Sequence, residues 1–288
     1  MTKGKQGNSG TYALLDSGEG LRLEQFGQVR LVRPSSMCVW SKRRPELWRD
    51  ADAVYEHKKG WKFKGPRFES WDAPVGKLEL KLRLQDNGQI GFFPEHLSYL
   101  DELESEVKAK LSASGQKPRV LNLFAYTGMA TVACLKAGAQ VTHVDLSKRA
   151  LDWAKQNIEL NRADESALRF IREDALSFLA KEVKRQKTYD IIIADPPSFS
   201  RVSDKETWDL DAVLHTLLRN LSCLLAGPHS SLYYTCHSTE WGSLVVENVL
   251  SDLLGDKKHR AESSLLVVQE QETSRKLPAG FLTRLSLL

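Results

Sequence analysis

The sequence predicts an α/β fold: seven strands joined by crossover helices into a parallel sheet, following a small β-rich N-terminal module. Three observations carry this. From Arg119 onward, short apolar runs alternate with amphipathic stretches at regular spacing. Acidic residues stand where several of those runs end, at Asp145, Asp174 and Asp195. The stretch before Gln89 shows only short β-like runs broken by turn residues.

The elements follow from local pattern. Residues 1–10 are polar and read as a disordered tail. Tyr12–Leu15, Gln28–Val32 and Met37–Trp40 read as short strands separated by Asp16-Ser17-Gly18 and Pro34-Ser35-Ser36. Leu78, Leu80, Leu82 and Leu84 alternate with polar residues as a half-buried strand does, and Asp86-Asn87-Gly88 turns the chain into Ile90–Phe93 as a hairpin. This gives an N-terminal module over 11–88 and a second domain over 89–288. A bridging helix is expected over 97–111. The regular alternation then reads strand 119–124, helix 129–137 closed by Gly138, strand 140–144, helix 148–160 capped by Ser147, and strand 168–172. Helix 176–186, strand 189–194, helix 206–225, strand 231–236, helix 241–254 and strands 264–270 and 281–287 complete the sheet.

Composition bounds the function. The 288 residues are 41% hydrophobic and 27% charged, enough for a sizeable core, and no run of about 18 apolar residues suggests a membrane span. A soluble cytoplasmic protein without a membrane partner is expected. The four cysteines are widely spaced with no C-x-x-C, which argues against a zinc site or disulfide framework, and no metal is expected. The net charge of +4 is unevenly placed: residues 1–75 hold 14 Lys+Arg against 9 Asp+Glu. Between positions 40 and 71 these cations interleave with Trp40, Trp48, Tyr55, Trp61, Phe63, Phe68 and Trp71, a mixture suited either to RNA or to a small aromatic core with solvated lysines.

In an open parallel sheet the ligand lies beyond the carboxyl ends of the strands, so Phe124-Ala125-Tyr126-Thr127-Gly128 should face a nucleoside cofactor. Gly128 permits close backbone approach, Thr127 offers a hydrogen bond, and the following helix presents its N-terminal N–H groups. Asp145, followed by Leu146 after the second strand, is placed to accept ribose hydroxyls. Asp174 with Ala175 after the third strand is placed either to take an adenine amino group or to cap a helix. The single-glycine turn argues against NAD. Asp195-Pro196-Pro197-Ser198-Phe199 forms a rigid loop able to offer a carboxylate to a planar base, on which Phe199 would stack. Cys236, at the end of the fifth strand, reads either as a nucleophile whose pKa His237 or a nearby helix N-terminus lowers, or as a small buried hydrophobe.

With these residues in view, the chain from about Gln89 to Leu288 resembles the bacterial S-adenosylmethionine-dependent rRNA methyltransferases that make 5-methylcytosine or 7-methylguanine in large-subunit RNA. The resemblance rests on Gly-Phe-Phe-Pro-Glu-His (91–96), Leu-Asn-Leu-Phe-Ala-Tyr-Thr-Gly (121–128), Val-Thr-His-Val-Asp-Leu-Ser (141–147), Asp-Trp-Ala-Lys-Gln-Asn (152–157), Arg-Glu-Asp-Ala (172–175) and Asp-Pro-Pro-Ser-Phe-Ser (195–200). It implies a class I, Rossmann-like methyltransferase sheet and S-adenosyl-L-methionine as cofactor. It also implies cofactor contacts at Phe93, Phe124, Tyr126, Gly128, Asp145, Asp174 and Asp195. Thr235-Cys236-His237-Ser238 is similar to the cysteine segment of the cytosine branch, although that branch usually has serine where His237 stands. Trp208–Asp211 is closer to the guanine branch, and the separate N-terminal RNA-binding module typical of the best-known members is not recognisable.

The expected activity is therefore methyl transfer to a nucleobase of RNA, most specifically C5 of a cytosine in rRNA, with Cys236 adding covalently and Asp195 and Phe199 holding the base. Methylation of a guanine or adenine nitrogen without a covalent step is the alternative. A non-catalytic cofactor- or RNA-binding protein is the third reading.

Overall fold

The computed structural model describes residues 12–201, 207–238 and 241–288; the tail expected over 1–10 and the start of the helix expected over 206–225 lie outside them. The chain divides into two compact units. One comprises Met1–Leu97 with Val267–Pro278, the other Ser98–Leu266 with Ala279–Leu288.

In the first unit, β1 (Ala13–Gly18), β2 (Leu21–Phe26), β3 (Val29–Pro34), β4 (Ala53–Glu56) and β5 (Gly60–Phe63) form a sheet in sequence order, and β6 (Ser70–Val75) pairs with β7 (Leu78–Arg83) as a hairpin. Two expected strands are corrected here. Met37–Trp40 has no ladder; it lies against the β1–β2 turn through Glu19 N–H to Trp40 O and Gly20 N–H to Cys38 O. Ile90–Phe93 makes no strand either, although Arg83 N–H reaches Ile90 O at 3.1 Å and Gln85 N–H reaches Gln89 O at 3.0 Å, closing the expected turn. Phe92 packs instead on Tyr12 and Phe26, with ring centroids 5.5 and 6.3 Å away. That packing carries the boundary past residue 88 to Leu97. Val268 and Leu277 join this unit by burying against Leu14 and Cys38.

The second unit opens with α1 (Leu97–Ser114), then β8 (Arg119–Leu123), α2 (Met129–Lys136), β9 (Gln140–Asp145), α3 (Lys148–Leu160), β10 (Leu168–Arg172), α4 (Ala175–Lys184) and β11 (Ile191–Ala194). A two-stranded ribbon, β12 (Phe199–Arg201) with β13 (Thr207–Asp209), precedes α5 (Leu210–Cys223); β14 (Ser231–Cys236), α6 (Ser243–Leu254), β15 (His259–Gln269) and β16 (Lys276–Leu287) follow. The helix expected over 206–225 thus begins only at Leu210, because Asp209 caps it by accepting from Asp211 N–H.

The seven-stranded sheet has the order β10-β9-β8-β11-β14-β16-β15, parallel from β10 to β14 with β16 antiparallel to β14. This is the class I, Rossmann-like sheet. Ile191, Ile192, Ile193 and Ala194 of β11 are all buried, as a central parallel strand covered on both faces requires. The core around it joins Leu121, Leu123, Phe178, Leu217, Leu221, Tyr234, Cys236 and Leu285. Strand order reverses between β8 and β11, which puts the crevice of the sheet at their carboxyl ends. No described helix is long and apolar enough to cross a membrane.

Candidate active site at the carboxyl edge of the sheet

The loop after β8 takes an unusual path. Phe124 and Tyr126 have φ of +53° and +48°, in the region where non-glycine residues are uncommon and tend to mark functional turns. Gly128 follows at φ +84°, and a Cβ there would stand 3.0 Å from the Ala154 Cβ. Glycine is needed both for the backbone angle and for the close packing of this loop on α3.

A buried polar network holds the loop from below. Asn122 Nδ2 donates to Thr131 Oγ1 at 2.9 Å, and Thr131 Oγ1 lies 2.9 Å from His143 Nδ1. Burial drives the His143 pKa down to about 3, so the ring is neutral at physiological pH. Asn157 of α3, fully buried, donates its amide to the carbonyl of Thr127 at 2.8 Å. Asn122, His143 and Asn157 fell inside matching motifs without being singled out, and Thr131 fell inside none. Their role is internal, and only the fold brings them under the loop.

Asp145 ends β9. Its Oδ2 accepts from Tyr126 N–H and its Oδ1 from Ser147 N–H, each at 2.8 Å. Burial nevertheless outweighs those two N–H groups and holds its pKa above the usual carboxylate value. Each oxygen keeps acceptor capacity for a ligand. Leu146 beside it is 42% exposed. Asp174 caps α4, accepting from Ser177 N–H at 2.8 Å, so the helix-capping role anticipated for it is present; Ala175 is the first residue of that helix.

The Asp195-Pro196-Pro197 loop leaves β11. Asp195 Oδ1 accepts from the Thr235 hydroxyl and lies 3.0 Å from His237 Nε2, both groups coming from the end of β14. Trp208 of β13 donates its indole N–H to Pro197 O at 2.6 Å and packs edge-on to Phe124, 5.1 Å between centroids. Trp208 thereby ties the proline loop to the loop after β8. Phe199 is 66% exposed, available to a planar partner.

Cys236 is fully buried in the core, and its Sγ accepts from Ser238 N–H at 3.4 Å. Burial pushes its pKa up to about 11. His237, expected to lower it, turns to Asp195 and to Ala279 O, and the groups that act on the thiol besides burial are Ser238 N–H, Asp195 and Asp211. Thus Phe124 to Gly128, Asp145, Leu146, Asp174, Ala175, Asp195 to Pro197, Phe199 and Cys236 all gather at the carboxyl ends of β8, β9, β10, β11 and β14. Phe93 belongs to the first unit, where its ring lies 6.0 Å from that of His96.

A family model described as S-adenosylmethionine-dependent methyltransferase matches residues 32–278. The chain belongs to that family. Among solved structures, an S-adenosylmethionine-dependent methyltransferase from Agrobacterium tumefaciens superposes with a TM-score of 0.89 at 32% identity, covering 98% of this chain and 92% of that one. SMU.776, a methyltransferase-like protein solved with S-adenosylhomocysteine, shares the fold at a TM-score of 0.77 and 19% identity, covering 98% and 76%. Among curated proteins, ribosomal RNA large subunit methyltransferase I from Serratia proteamaculans is 40% identical over 123 residues, and that from Yersinia pseudotuberculosis 41%. The match spans 42% of this chain and 29% of the length of those relatives.

The residues present fit the family's cofactor. Gly128, at φ +84°, gives the backbone an approach that a side chain would crowd against Ala154, and Asp145 is a partly buried carboxylate supplied with fewer donors than it can accept.

Proposed function

We propose that this methyltransferase acts on a nucleobase of RNA, with Asp145 accepting the ribose hydroxyls of S-adenosylmethionine and the loop from Phe124 to Gly128 holding its amino-acid end. The single observation that carries the base assignment is the rigid Asp195-Pro196-Pro197 loop. It is tied down at Pro197 by Trp208, braced at Asp195 by β14, and flanked by an exposed Phe199. When bound, the cofactor supplies an electrophilic methyl group on a sulfonium sulfur. The chain's residues hold the base in line with it, and placement alone can supply several kcal/mol, up to about 7–11 in favourable systems. The names of the matched large-subunit relatives support rRNA as the substrate class.

For the acceptor atom, the position of Cys236 at the end of β14, one strand over from Asp195, supports C5 of a cytosine. There the thiolate adds to C6 and raises electron density at C5, which takes up the methyl group; a base then removes the C5 proton and the thiolate leaves C6 by elimination. The resting thiol is neutral, so this route requires its proton to be removed once the base is bound. That neutral, buried state is the specific observation favouring the second reading, methylation of a ring or exocyclic nitrogen with no covalent step.

Mass spectrometry of ribosomal RNA from a strain lacking the gene separates them. Loss of a 5-methylcytosine restored by wild type and not by Cys236→Ala supports the covalent route. Rescue by the alanine variant, or loss of a different methylated base, supports the nitrogen route, and an unchanged methylation profile sinks the rRNA assignment.

The basic, aromatic stretch of the first unit is proposed as a further RNA-binding surface, narrowed by its pairings. Lys59 and Lys62 are engaged by Glu56, and Lys42 by Glu19 while lying over the Trp48 ring. Exposed Lys58 and Arg67 are the better probes. Replacing both with glutamine should flatten the salt dependence of RNA binding by roughly 0.7–0.9 in slope for each phosphate that is no longer neutralised.

A further inference from the structure

Three strand ends converge on Asp195 of the second unit. β14 contributes Thr235, the residue just past its end is His237, and β16 contributes Ala279, whose carbonyl oxygen lies 2.6 Å from His237 Nδ1. A carbonyl can only accept, so Nδ1 carries the hydrogen, and the ring's other nitrogen, Nε2, is directed at Asp195 Oδ1 3.0 Å away. The carboxylate is likewise an acceptor, so a second proton lies along the Nε2–Oδ1 contact, on one atom or the other. The Thr235 hydroxyl donates to the same Oδ1.

The close approach of β16 depends on the residue after Ala279. Gly280 has φ +135°, and a Cβ there would stand 2.2 Å from the Cys236 carbonyl oxygen and 3.1 Å from His237 Nδ1. Only glycine lets the Ala279 carbonyl reach the ring. A merely packed surface histidine would need none of this.

We infer that His237 is a positioning residue for Asp195: held by the Ala279 carbonyl in its Nδ1–H form, it fixes the orientation of the carboxyl group and keeps a proton shared with it, so that Asp195 meets the target base pre-set. This rests on Asp195 facing the base, as proposed above, and makes His237 part of the catalytic geometry instead of a modulator of the Cys236 thiol. Positioning groups of this kind, like those behind metal-bound histidines, are typically worth about ten- to a hundredfold in activity. A misplacement of about 1 Å can cost a hundredfold.

Two measurements test it. Nitrogen-15 spectroscopy of the histidine-labelled wild-type protein should show His237 protonated at Nδ1, with its Nε2 resonance shifting in Asp195→Ala. A ring protonated only at Nε2, or one indifferent to Asp195→Ala, overturns the proposal whatever the substrate turns out to be. In His237→Ala, the maximal methyl-transfer rate should fall about ten- to a hundredfold, with affinity for S-adenosylhomocysteine by calorimetry held within about twofold. An unchanged rate, or a loss of cofactor affinity equal to the loss of rate, overturns it. If wild-type protein transfers no methyl to any RNA, the RNA reading has failed, and the spectroscopic result still decides the arrangement of His237 and Asp195.

Discussion

Asp16 of the first unit and Asp145 of the second are both carboxylates drawn in from water, yet they are supplied very differently. Asp16 accepts from the N–H groups of Ser17, Arg43 and Arg44 and from the Trp48 indole, four donors at 2.7 to 3.2 Å. Burial, the largest single influence, pushes its pKa up, but those hydrogen bonds together outweigh it and the pKa ends below the usual value. Asp145 has two donors, and burial wins. A saturated carboxylate is a structural pin that ties the Arg43–Trp48 segment to β1. An under-supplied one is energetically poised to receive donors from a ligand.

The largest effect that would sharpen this contrast is on stability. Asp16→Ala strands several buried donors and should cost about 3 kcal/mol, read from the denaturant midpoint at constant slope. Asp145→Ala should leave that midpoint nearly where it was. If the two variants lost the same stability, the distinction between pin and receptor would collapse.

The second effect is on affinity. Asp145→Ala should weaken S-adenosylhomocysteine binding by about 2 kcal/mol, roughly thirtyfold, because hydrogen bonds to a charged acceptor are removed. Calorimetry giving unaltered affinity would remove Asp145 from the cofactor site. Next comes Gly128→Ala, which forces a side chain into the left-handed region and against Ala154; a stability loss of about 1–2 kcal/mol is expected, accompanied by weakened cofactor binding.

The smallest effect is a difference in pH dependence. Asp16, with its pKa lowered on folding, contributes stability above the unfolded carboxylate pKa and loses it as pH falls through its folded value, below the usual aspartate range. Asp145 works in the opposite sense. Its raised pKa means that protonation begins above that range, so affinity for a hydroxyl-donating ligand should fall as pH drops through the raised value, and Asp145→Ala should abolish that slope. Binding measured from neutral pH downward checks it, and a slope that persists in the variant would assign the titration to another group.

The methyltransferase sheet was legible because its strands and helices have different apolar periods and its punctuation is local: Ser147 caps α3, Asp174 caps α4, and the strand ends expected to carry Asp145, Asp174 and Asp195 do carry them. The first unit was harder to read because its strands hide charge. Glu24 of β2 is fully buried against Arg22 and Arg33, so the alternation of apolar and polar residues that reveals a strand is broken by a buried ion pair. β2 went unrecognised for that reason, and β4 and β5, four residues each, because they are short; β6 went unrecognised as well.

The sequence by itself determined the succession of strands and helices along the second unit, the turn that ends at Gly128, and the set of residues expected at the carboxyl edge, since each depends on neighbours within a few positions. Only the tertiary structure decided which of those residues meet. His237 follows Cys236 directly, yet their side chains part, one to Asp195 and the carbonyl of Ala279, the other into the core. Partners such as Asp195, Thr235 and Ala279 lie 40 or more residues apart on separate strands, and it is strand pairing, absent from any local pattern, that brings them to hydrogen-bonding distance.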